Sequence, residues 1–289
     1  MFSKILLATD FSRASRAALF AGISIGTRCL AHLEAVHVLT YLEDVYHAAR
    51  FLVPGTEWQG QMEQEFENYF PSRLYPNSKR SLLVGRSIPD EILKHARQEK
   101  CDLIIVGTHG HTIGNLLMGS VTQQLTRSSE IPVMTVRGVE KAEERYQGFK
   151  NIMVPTDFSA ASRKALDFAA KFTNFLEGDL HLVHVVDLPV ITELQAAYPL
   201  FEIKTPELEE MNMDPTLRQM LESVDLVGQK KVASLAGDPV REIVTYAEAH
   251  HGDFIVMGTH GRKGLERILL GSVTAGVVAR SHVPVITIR

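Results

Sequence analysis

Residues Gly258–Ser272 have the sequence G-T-H-G-R-K-G-L-E-R-I-L-L-G-S, and the rest of the chain is organised around them. They follow the apolar run Phe254–Met257 and precede Val273–Arg280, which has the composition of a helix. A buried strand, a glycine-rich loop and a helix start are the arrangement that binds phosphate, because glycines let backbone N–H groups turn toward an anion and the helix N-terminus adds a favourable dipole. The stretch therefore predicts an α/β fold in which this loop is the working part.

The same pattern occurs earlier in the chain, as Gly107-Thr108-His109-Gly110 followed by Gly119-Ser120-Val121-Thr122. Other segments repeat at nearly the same offset: Thr9–Ser12 and Thr156–Ser159 are both T-D-F-S. Two copies of this length indicate a tandem duplication of one domain. We expect the domains to span residues 1–138 and 149–289, joined by the polar linker Gly138–Gln147.

Composition limits the classes of function. The chain has 289 residues, 45% of them hydrophobic, and a formal net charge of −4 without any Lys/Arg-rich block. General nucleic-acid binding is therefore disfavoured, since it requires the neutralisation of many phosphates. No apolar run is long enough to span a membrane. The two cysteines, Cys29 and Cys101, are too few for a disulfide framework, which favours a reducing cytoplasm and inert thiols.

Each copy alternates short apolar runs with helical segments. This alternation predicts a doubly wound, five-stranded parallel sheet with helices on both faces, in the order 3-2-1-4-5. The predicted strands of the first copy are Lys4–Ala8, Glu34–Leu39, Ser81–Val84, Leu103–Val106 and Val133–Arg137. Those of the second copy are Asn151–Val154, Leu180–Val186, Lys231–Leu235, Phe254–Met257 and Val285–Arg289.

The predicted order places strands one and four side by side, where the winding direction reverses. Ligands of open α/β sheets bind at the carboxyl ends of the strands at such a switch point. Asp10 and Asp157 follow strand one of the two copies, and Gly107 and Gly258 follow strand four. The carboxylates and the glycine loops are therefore expected at one edge of each sheet.

Several of these residues also have a purely structural explanation. Asp10 and Asp157 precede a helix and would orient its first turn, although Ser12 and Ser159 are better placed as caps. Gly107 and Gly258 would let a strand and a helix pack closely. Three further structural assignments concern Gly271-Ser272 as a helix start capped by serine, His109 and His260 as loop hydrogen-bonders, and His37 and His184 as partly buried strand residues.

The long segments Thr40–Lys79 and Asp187–Gln229 lie between the second and third strands. The first of them is rich in aromatic residues: Tyr41, Tyr46, Phe51, Trp58, Phe66, Tyr69, Phe70 and Tyr75. A lid or partner surface is one interpretation. We favour a helix packed on the sheet with its aromatic residues in the core, because a parallel crossover needs such a helix.

Taken together, five features resemble the universal stress protein family in its tandem form. They are the opening T-D-F-S, the H-V at the end of strand two, G-T-H-G after strand four, G-S-V-T at the next helix, and the terminal P-V-x-x-x-R strand. The resemblance covers both copies apart from the long middle segments and the linker. It implies the doubly wound fold described above.

The resemblance also implies that the second copy binds ATP. Family members with the pattern G-x2-G-x9-G-[S/T] tend to bind ATP, and Gly258, Gly261, Gly271 and Ser272 match it. By the same resemblance Asp157 faces the ribose or phosphate side, Val185 offers its backbone to the adenine, and Gly271, Ser272 and Val273 hold the phosphates. The full set of implied ligand-binding residues is Pro155, Thr156, Asp157, Val185, Gly258, Gly261, Arg262, Gly271, Ser272 and Val273.

The first copy departs from this pattern. Eight residues instead of nine separate Gly110 from Gly119, and His111 and Thr112 stand where the second copy has the basic pair Arg262 and Lys263. We therefore expect the second site to hold ATP more tightly, since basic side chains attract a triphosphate. The matching residues of the first copy are Asp10, Val38, Gly107, Gly110, Gly119 and Ser120.

The loop lacks the features of several catalytic motifs. There is no Lys directly before Ser272 or Ser120, as a Walker A loop requires, no G-x-G-x-x-G after strand one and no G-x-S-x-G. Little or no ATP hydrolysis is therefore expected, and no catalytic residue is assigned. Three alternatives stay open: a weak ATPase using Mg²⁺ or Mn²⁺ with the phosphates, an interaction or small-ligand module without nucleotide, and a disfavoured zinc site at His181 with His184 or at His250-His251.

For assembly, the resemblance implies that the terminal strands Val133–Val136 and Val285–Ile288 face each other in an intramolecular pseudo-twofold pair. Strand edges need covering, which gives a physical reason for such a pair. A homodimer of the whole chain and an unidentified protein partner stay open.

Overall fold

The computed structural model describes residues 1–40, 57–108, 118–138, 142, 146, 148–187, 215–259 and 270–289. The chain divides into two compact units, Phe2–Gln147 and Gly148–Arg289, which we name the first and the second domain.

The first domain is a parallel sheet with strand order β3-β2-β1-β4-β5, the order that the sequence predicts. Its strands are β1 (Lys4–Ala8), β2 (His32–Thr40), β3 (Ser78–Gly85), β4 (Leu103–Gly107) and β5 (Val133–Val136). Its helices are α1 (Arg13–Cys29), α2 (Glu57–Tyr69), α3 (Ile88–Gln98) and α4 (Ser120–Ser128), with a 3₁₀ turn at Ser72–Leu74.

Helices cover both faces of this sheet because its strand residues are apolar on both sides. Leu6 and Ile104 belong to one buried cluster together with Ile92 of α3 and Leu125 of α4. The neighbouring strand residue Leu7 points the other way, where a Cβ added to Gly22 of α1 would lie 2.5 Å from its Cδ2 atom. Four alanines of α1, namely Ala14, Ala17, Ala18 and Ala21, are all buried.

The helix predicted within the first long middle segment is present as α2. Phe66, Tyr69, Phe70 and Tyr75 are buried, which confirms the interpretation of these aromatic residues as core. Tyr41, Tyr46 and Phe51 lie outside the described residues, as does the side chain of Trp58.

The second domain repeats the arrangement, with strand order β8-β7-β6-β9-β10. Its strands are β6 (Asn151–Thr156), β7 (Asp179–Asp187), β8 (Lys230–Gly237), β9 (Phe254–Gly258) and β10 (Val285–Ile288). Its helices are α5 (Ala160–Leu176), α6 (Pro215–Glu222), α7 (Pro239–Ala249) and α8 (Ser272–Arg280). Strand β6 extends two residues beyond the predicted end at Val154, because Pro155 and Thr156 pair with Val183 and His184 of β7.

A buried ionic cluster lies beneath α3 in the first domain. The carboxylate of Glu34 is fully buried and accepts a hydrogen bond from Ser81 at 2.6 Å. His95 lies 2.8 Å away, and the ammonium groups of Lys4 and Lys79 are each within 3.3 Å. Burial alone would raise the pKa of Glu34, but Ser81, His95 and the nearby positive charge outweigh it and lower the pKa to about 2.

The same place in the second domain holds different chemistry. His181 is buried, and its Nδ1 atom lies 3.1 Å from the Tyr246 hydroxyl. Tyr246 stacks on His250 at 3.9 Å between ring centroids. Among the described residues, Nε2 of His181 has no hydrogen-bond partner. Burial, helped by the charges of Lys231 and His250, lowers the pKa of His181 to about 4.

Candidate functional site

The turn after the first strand of each domain is built in the same way. In the second domain the Ser159 N–H donates to Oδ1 of Asp157 at 3.1 Å, and the Ser159 hydroxyl caps α5 by accepting from Ser162 N–H. In the first domain Ser12 N–H donates to Asp10 at 3.0 Å, and Ser12 caps α1. The serines are therefore the caps, as predicted, and each aspartate fixes the turn that precedes its helix.

A strained aromatic residue occupies the centre of each turn. Phe11 and Phe158 have φ angles of 61° and 64°, a left-handed conformation that bulky side chains rarely adopt. Their N–H groups donate to the Thr9 and Thr156 hydroxyls at 2.9 and 3.0 Å, which holds this conformation. Backbone strain of this kind persists where the surrounding structure enforces it, and it is typical of ligand sites.

A histidine of the second strand braces each turn. The ring of His184 lies 4.6 Å from the ring of Phe158, and its Nδ1 atom is 2.8 Å from the Thr156 carbonyl oxygen. His37 makes the same two contacts with Phe11 and with Thr9 O, at 4.7 and 2.8 Å. Since a carbonyl oxygen accepts, Nδ1 donates and carries the proton in both histidines. Both are half-buried structural side chains, as the sequence predicts.

Beyond each histidine, the second strand continues past the end of the first. The register of β1 with β2 ends at Ala8↔Val36, where Thr9 N–H donates to Val36 O. Because alternate residues of a strand point their backbone groups the same way, the N–H and C=O of Val38 point to this side, past the end of β1. Val185 has the same position in β7, where pairing with β6 ends at Thr156↔His184.

The glycines that end the fourth strands are required by close packing. A Cβ on Gly258 would lie 2.7 Å from the carbonyl carbon of Ala161 in α5 and 2.9 Å from its Cβ atom. A Cβ on Gly107 would lie 2.7 Å from the carbonyl carbon of Ala14 in α1. Only glycine fits at either position, because the obstructing atoms are backbone. The helix that starts after Asp157 is thereby held close against the end of β9.

The helix after the glycine loop begins with a glycine at its N-cap. Gly271 has extended backbone geometry and supplies no side-chain acceptor to the first turn of α8, and Ser272 is the first helical residue. The alternative, purely structural explanation of Ser272 as the cap of this helix is therefore wrong. The Gly271 N–H donates to Thr259 O at 2.8 Å, and the helix begins at Ser272, one residue earlier than a serine cap would require. Gly119 repeats this arrangement before α4.

A threonine in each of these helices ties the helix start to the strand end. The Thr274 hydroxyl donates to Gly258 O at 2.8 Å, and the Thr122 hydroxyl donates to Gly107 O at 2.7 Å. These residues were not assigned any role from sequence. The signal was available in the repeated G-S-V-T, but its final residue carries meaning only once the strand end is known to lie beside the helix. The first-turn N–H groups of α8 are therefore held at the carboxyl end of β9.

The surroundings of the two turns differ. In the first domain Phe11 packs edge-on against Phe66 and Tyr69 of α2, at 5.2 and 5.5 Å. Tyr69 donates its hydroxyl proton to the Ser15 carbonyl in α1, and burial raises its pKa to about 12. In the second domain the Thr156 hydroxyl lies 3.6 Å from the sulfur of Met220 in α6. The first turn is thus covered by aromatic rings and the second by a more adaptable thioether.

Most of the predicted ligand residues fall at the carboxyl edges of the sheets. Pro155, Thr156, Asp157 and Gly258 lie at or next to strand ends of the second domain, Val185 lies in β7 just past its pairing with β6, and Gly271, Ser272 and Val273 lie at the start of α8. Asp10, Val38, Gly107, Gly119 and Ser120 have the matching positions in the first domain. The remaining predicted residues, Gly110, Gly261 and Arg262, lie outside the described residues, as do His109, His260 and Lys263.

The described part of the chain shows little sign of other kinds of site. Its His, Cys, Asp and Glu residues form no group of three or more that would hold a metal ion. None of its helices has both the length and the apolar character needed to cross a bilayer. Cys101 is buried, and burial raises the pKa of its thiol to about 12, in agreement with an inert cysteine.

The fold agrees with comparison to known proteins. A model of the universal stress protein family matches the chain twice, over residues 1–137 and 148–289. These matches cover almost the whole chain, and the protein therefore belongs to the universal stress protein family, as a tandem member.

Two relatives from one archaeon align with about one domain's length. Universal stress protein MJ0531 of Methanocaldococcus jannaschii is 34% identical over 142 residues, which are 49% of this chain and 82% of the relative. Universal stress protein MJ0577 of the same organism is 33% identical over 156 residues, covering 49% of this chain and 95% of its own length. A universal stress protein structure from Archaeoglobus fulgidus DSM 4304 covers 99% of this chain and 96% of its own, with a TM-score of 0.61 and 20% identity. That likeness shows the fold alone.

Proposed function

We propose that the protein is a regulatory nucleotide-binding protein that holds ATP mainly in its second domain, with little or no hydrolysis. The observation that carries this proposal is the start of α8. Its N-cap is Gly271, its first turn receives no side-chain acceptor from that cap, and Thr274 fixes it beside the end of β9. A helix N-terminus whose N-cap residue is a glycine, at the switch point of a parallel sheet, is a site for phosphate.

The other predicted contacts suit the remaining parts of the nucleotide. The backbone of Val185 extends past the end of β6, where it would bond the edge of an adenine. Asp157 follows β6 at the same edge of the sheet, where it would accept from ribose hydroxyls or take part in binding the phosphates with Mg²⁺ or Mn²⁺. Arg262 and Lys263 in the loop add the positive charge that the first domain lacks at His111 and Thr112.

Calorimetry on the full chain with ATP tests the proposal. We expect binding tighter than about 1 mM, weakened more than about tenfold by Gly271→Val, because a branched side chain at the N-cap blocks the approach of a phosphate to the first turn. Gly119→Val makes the matched change in the first domain and should leave the tighter site intact. No binding near 1 mM, or equal affinities for the wild type and Gly271→Val, would show that the proposal is wrong.

A weak metal-dependent ATPase is the alternative within the same site. A turnover assay with Mg²⁺ or Mn²⁺ separates it from the proposal, since turnover abolished by Asp157→Asn would support the enzyme. Turnover at background level would remove this alternative.

The third candidate, an interaction or small-ligand module without nucleotide, would gain support from an apolar tunnel away from the switch point. A cavity of about 670 Å³ does lie beside α2 in the first domain, but its walls include Glu63, Glu67 and Arg80. Arg80 and Glu67 form an ion pair at 2.9 Å across it. These charged walls suit water and ions rather than an apolar ligand. The intramolecular domain pair, a homodimer, a protein partner and a cytoplasmic location stay predictions.

A further inference from the structure

Strand β6 contains a proline where proline is rarely tolerated. Pro155 is buried and lies in a strand that has a neighbour on each side, β7 and β9. Proline has no N–H to donate to a sheet, so within sheets it is normally confined to edge strands, first residues or bulges. Its position one residue before the end of a central strand therefore calls for an explanation.

The side to which Pro155 points follows from the hydrogen bonds around it. Asn151 accepts from Asp253 N–H with its carbonyl oxygen, so the backbone groups of Asn151 face the β9 side. Alternate residues face the same way, so the ring nitrogen of Pro155 faces β9 as well. On β9, Ile255 N–H donates to Pro284 O on the β10 side, which turns the backbone of the next residue, Val256, toward β6.

Comparison of the two domains shows the consequence. The register of β1 with β4 runs over four residue pairs and reaches Ala8↔Val106. The register of β6 with β9 contains only Ile152↔Phe254 and Met153↔Ile255. Pro155 occupies the position of Ala8, and the two missing pairs are the ones nearest the carboxyl ends. The ring Cδ atom stands where an amide proton would reach the Val256 carbonyl, and a methylene needs more room than a hydrogen bond allows.

We propose that Pro155 is a positioning residue that holds the carboxyl ends of β6 and β9 apart, so that the second domain presents an open cleft at its switch point. This inference rests on the proposed function, because the cleft is the place where the nucleotide would enter between Asp157 and Gly258. In the first domain Ala8 is paired with Val106 at the corresponding place. The two sites therefore differ in two ways: in their glycine loops, and in having Pro155 where the first domain has Ala8.

Pro155→Ala in the full chain is the direct test. The new amide at position 155 should become protected from hydrogen exchange, and the Val256 and Gly258 amides, which face β6, should exchange more slowly than in the wild type. ATP affinity should fall about fivefold, the factor that one net backbone hydrogen bond corresponds to, since binding must now break it. Without nucleotide, the thermal unfolding midpoint of Pro155→Ala should fall by no more than the midpoint of the control variant Pro239→Ala.

Pro239→Ala is the matched control, because Pro239 lies in the first turn of α7 and takes no part in the β6–β9 register. It removes the same ring and the same restriction of the unfolded chain, and its ATP affinity should equal that of the wild type. A Pro155→Ala protein that binds ATP within twofold of the wild type, or whose residue-155 amide stays unprotected, would overturn the inference while the proposed function stands. A wild type that fails to bind ATP near 1 mM removes both.

Discussion

Replacing His181 by glutamine should abolish an acid-sensitive step in the unfolding of the second domain. His181 lies on β7 beneath α7, is 1% exposed and contacts Tyr246. The charged groups around it are Lys231 on β8, Asp179 on its own strand and His250 after α7, of which only Asp179 favours the imidazolium form. Glutamine keeps a hydrogen-bonding group near Tyr246 but takes up no proton.

The sign of the effect follows from where the folded and unfolded chains take up the proton. The unfolded chain protonates His181 at pH 6.5, whereas the folded pKa is about 4. The contribution of neutral, buried His181 to the free energy of unfolding is therefore complete above pH 6.5, and it is lost as the pH falls from 6.5 to 4. These two values correspond to a loss of about 2 kcal/mol at pH 5 and about 3 kcal/mol at pH 4.

The first domain should respond in a lower pH window. The folded pKa of Glu34 is about 2 against an ordinary value of 4.5, so its contribution is complete above pH 4.5 and is lost as the pH falls toward 2. At pH 5 the titration of Glu34 lowers the free energy of unfolding of the first domain by only about 0.2 kcal/mol. The second domain should therefore be the first to weaken in acid.

Urea unfolding at pH 7 and pH 5 separates the domains. The single tryptophan, Trp58, belongs to the first domain and makes fluorescence a selective reporter, while hydrogen exchange with mass spectrometry follows peptides of the second. The loss at pH 5 should lower the second domain's urea midpoint by about 1 M. His181→Gln should remove most of this shift, and the exposed neighbour change His250→Gln should retain most of it. Equal midpoints at the two pH values in the wild type, or an unchanged shift in His181→Gln, would refute the reasoning.

Two further changes test the packing and the ion cluster. Gly258→Ala should destabilise the second domain by about 1–3 kcal/mol, because its Cβ meets backbone atoms of Ala161, whereas Gly148→Ala, with nothing within 4 Å, should be neutral by thermal unfolding. Glu34→Gln should cost the first domain about 3 kcal/mol at pH 7 by Trp58 fluorescence, since it leaves Lys4 and Lys79 without their buried carboxylate, and this difference should vanish as the pH falls toward 2. A difference that persists at pH 2 would contradict the assigned charge.

The sequence predicted the strand order because the information is local and repeated. Apolar runs such as Leu103–Val106 are buried on both faces, and the crossover rule leaves few ways to connect them. The turn after strand one could also be predicted, since Ser12 and Ser159 are cap residues directly before the helices that they cap. Local pattern leaves open whether Ser272 caps its helix, and the structure places Gly271 at the N-cap, where its N–H donates to Thr259 O.

Local pattern and its repetition are enough to predict the duplication, the doubly wound sheets and the edge at which Asp157 and Gly258 both lie, because periodicity and chain direction set these features. Contacts between residues remote in the chain became known only from the folded structure. Glu34 gains a partner from Lys79 and His181 one from Tyr246, across separations that local pattern does not encode. The folded structure also shows that the ring nitrogen of Pro155 points toward β9. The direction in which a backbone nitrogen points depends on the register of the neighbouring strands.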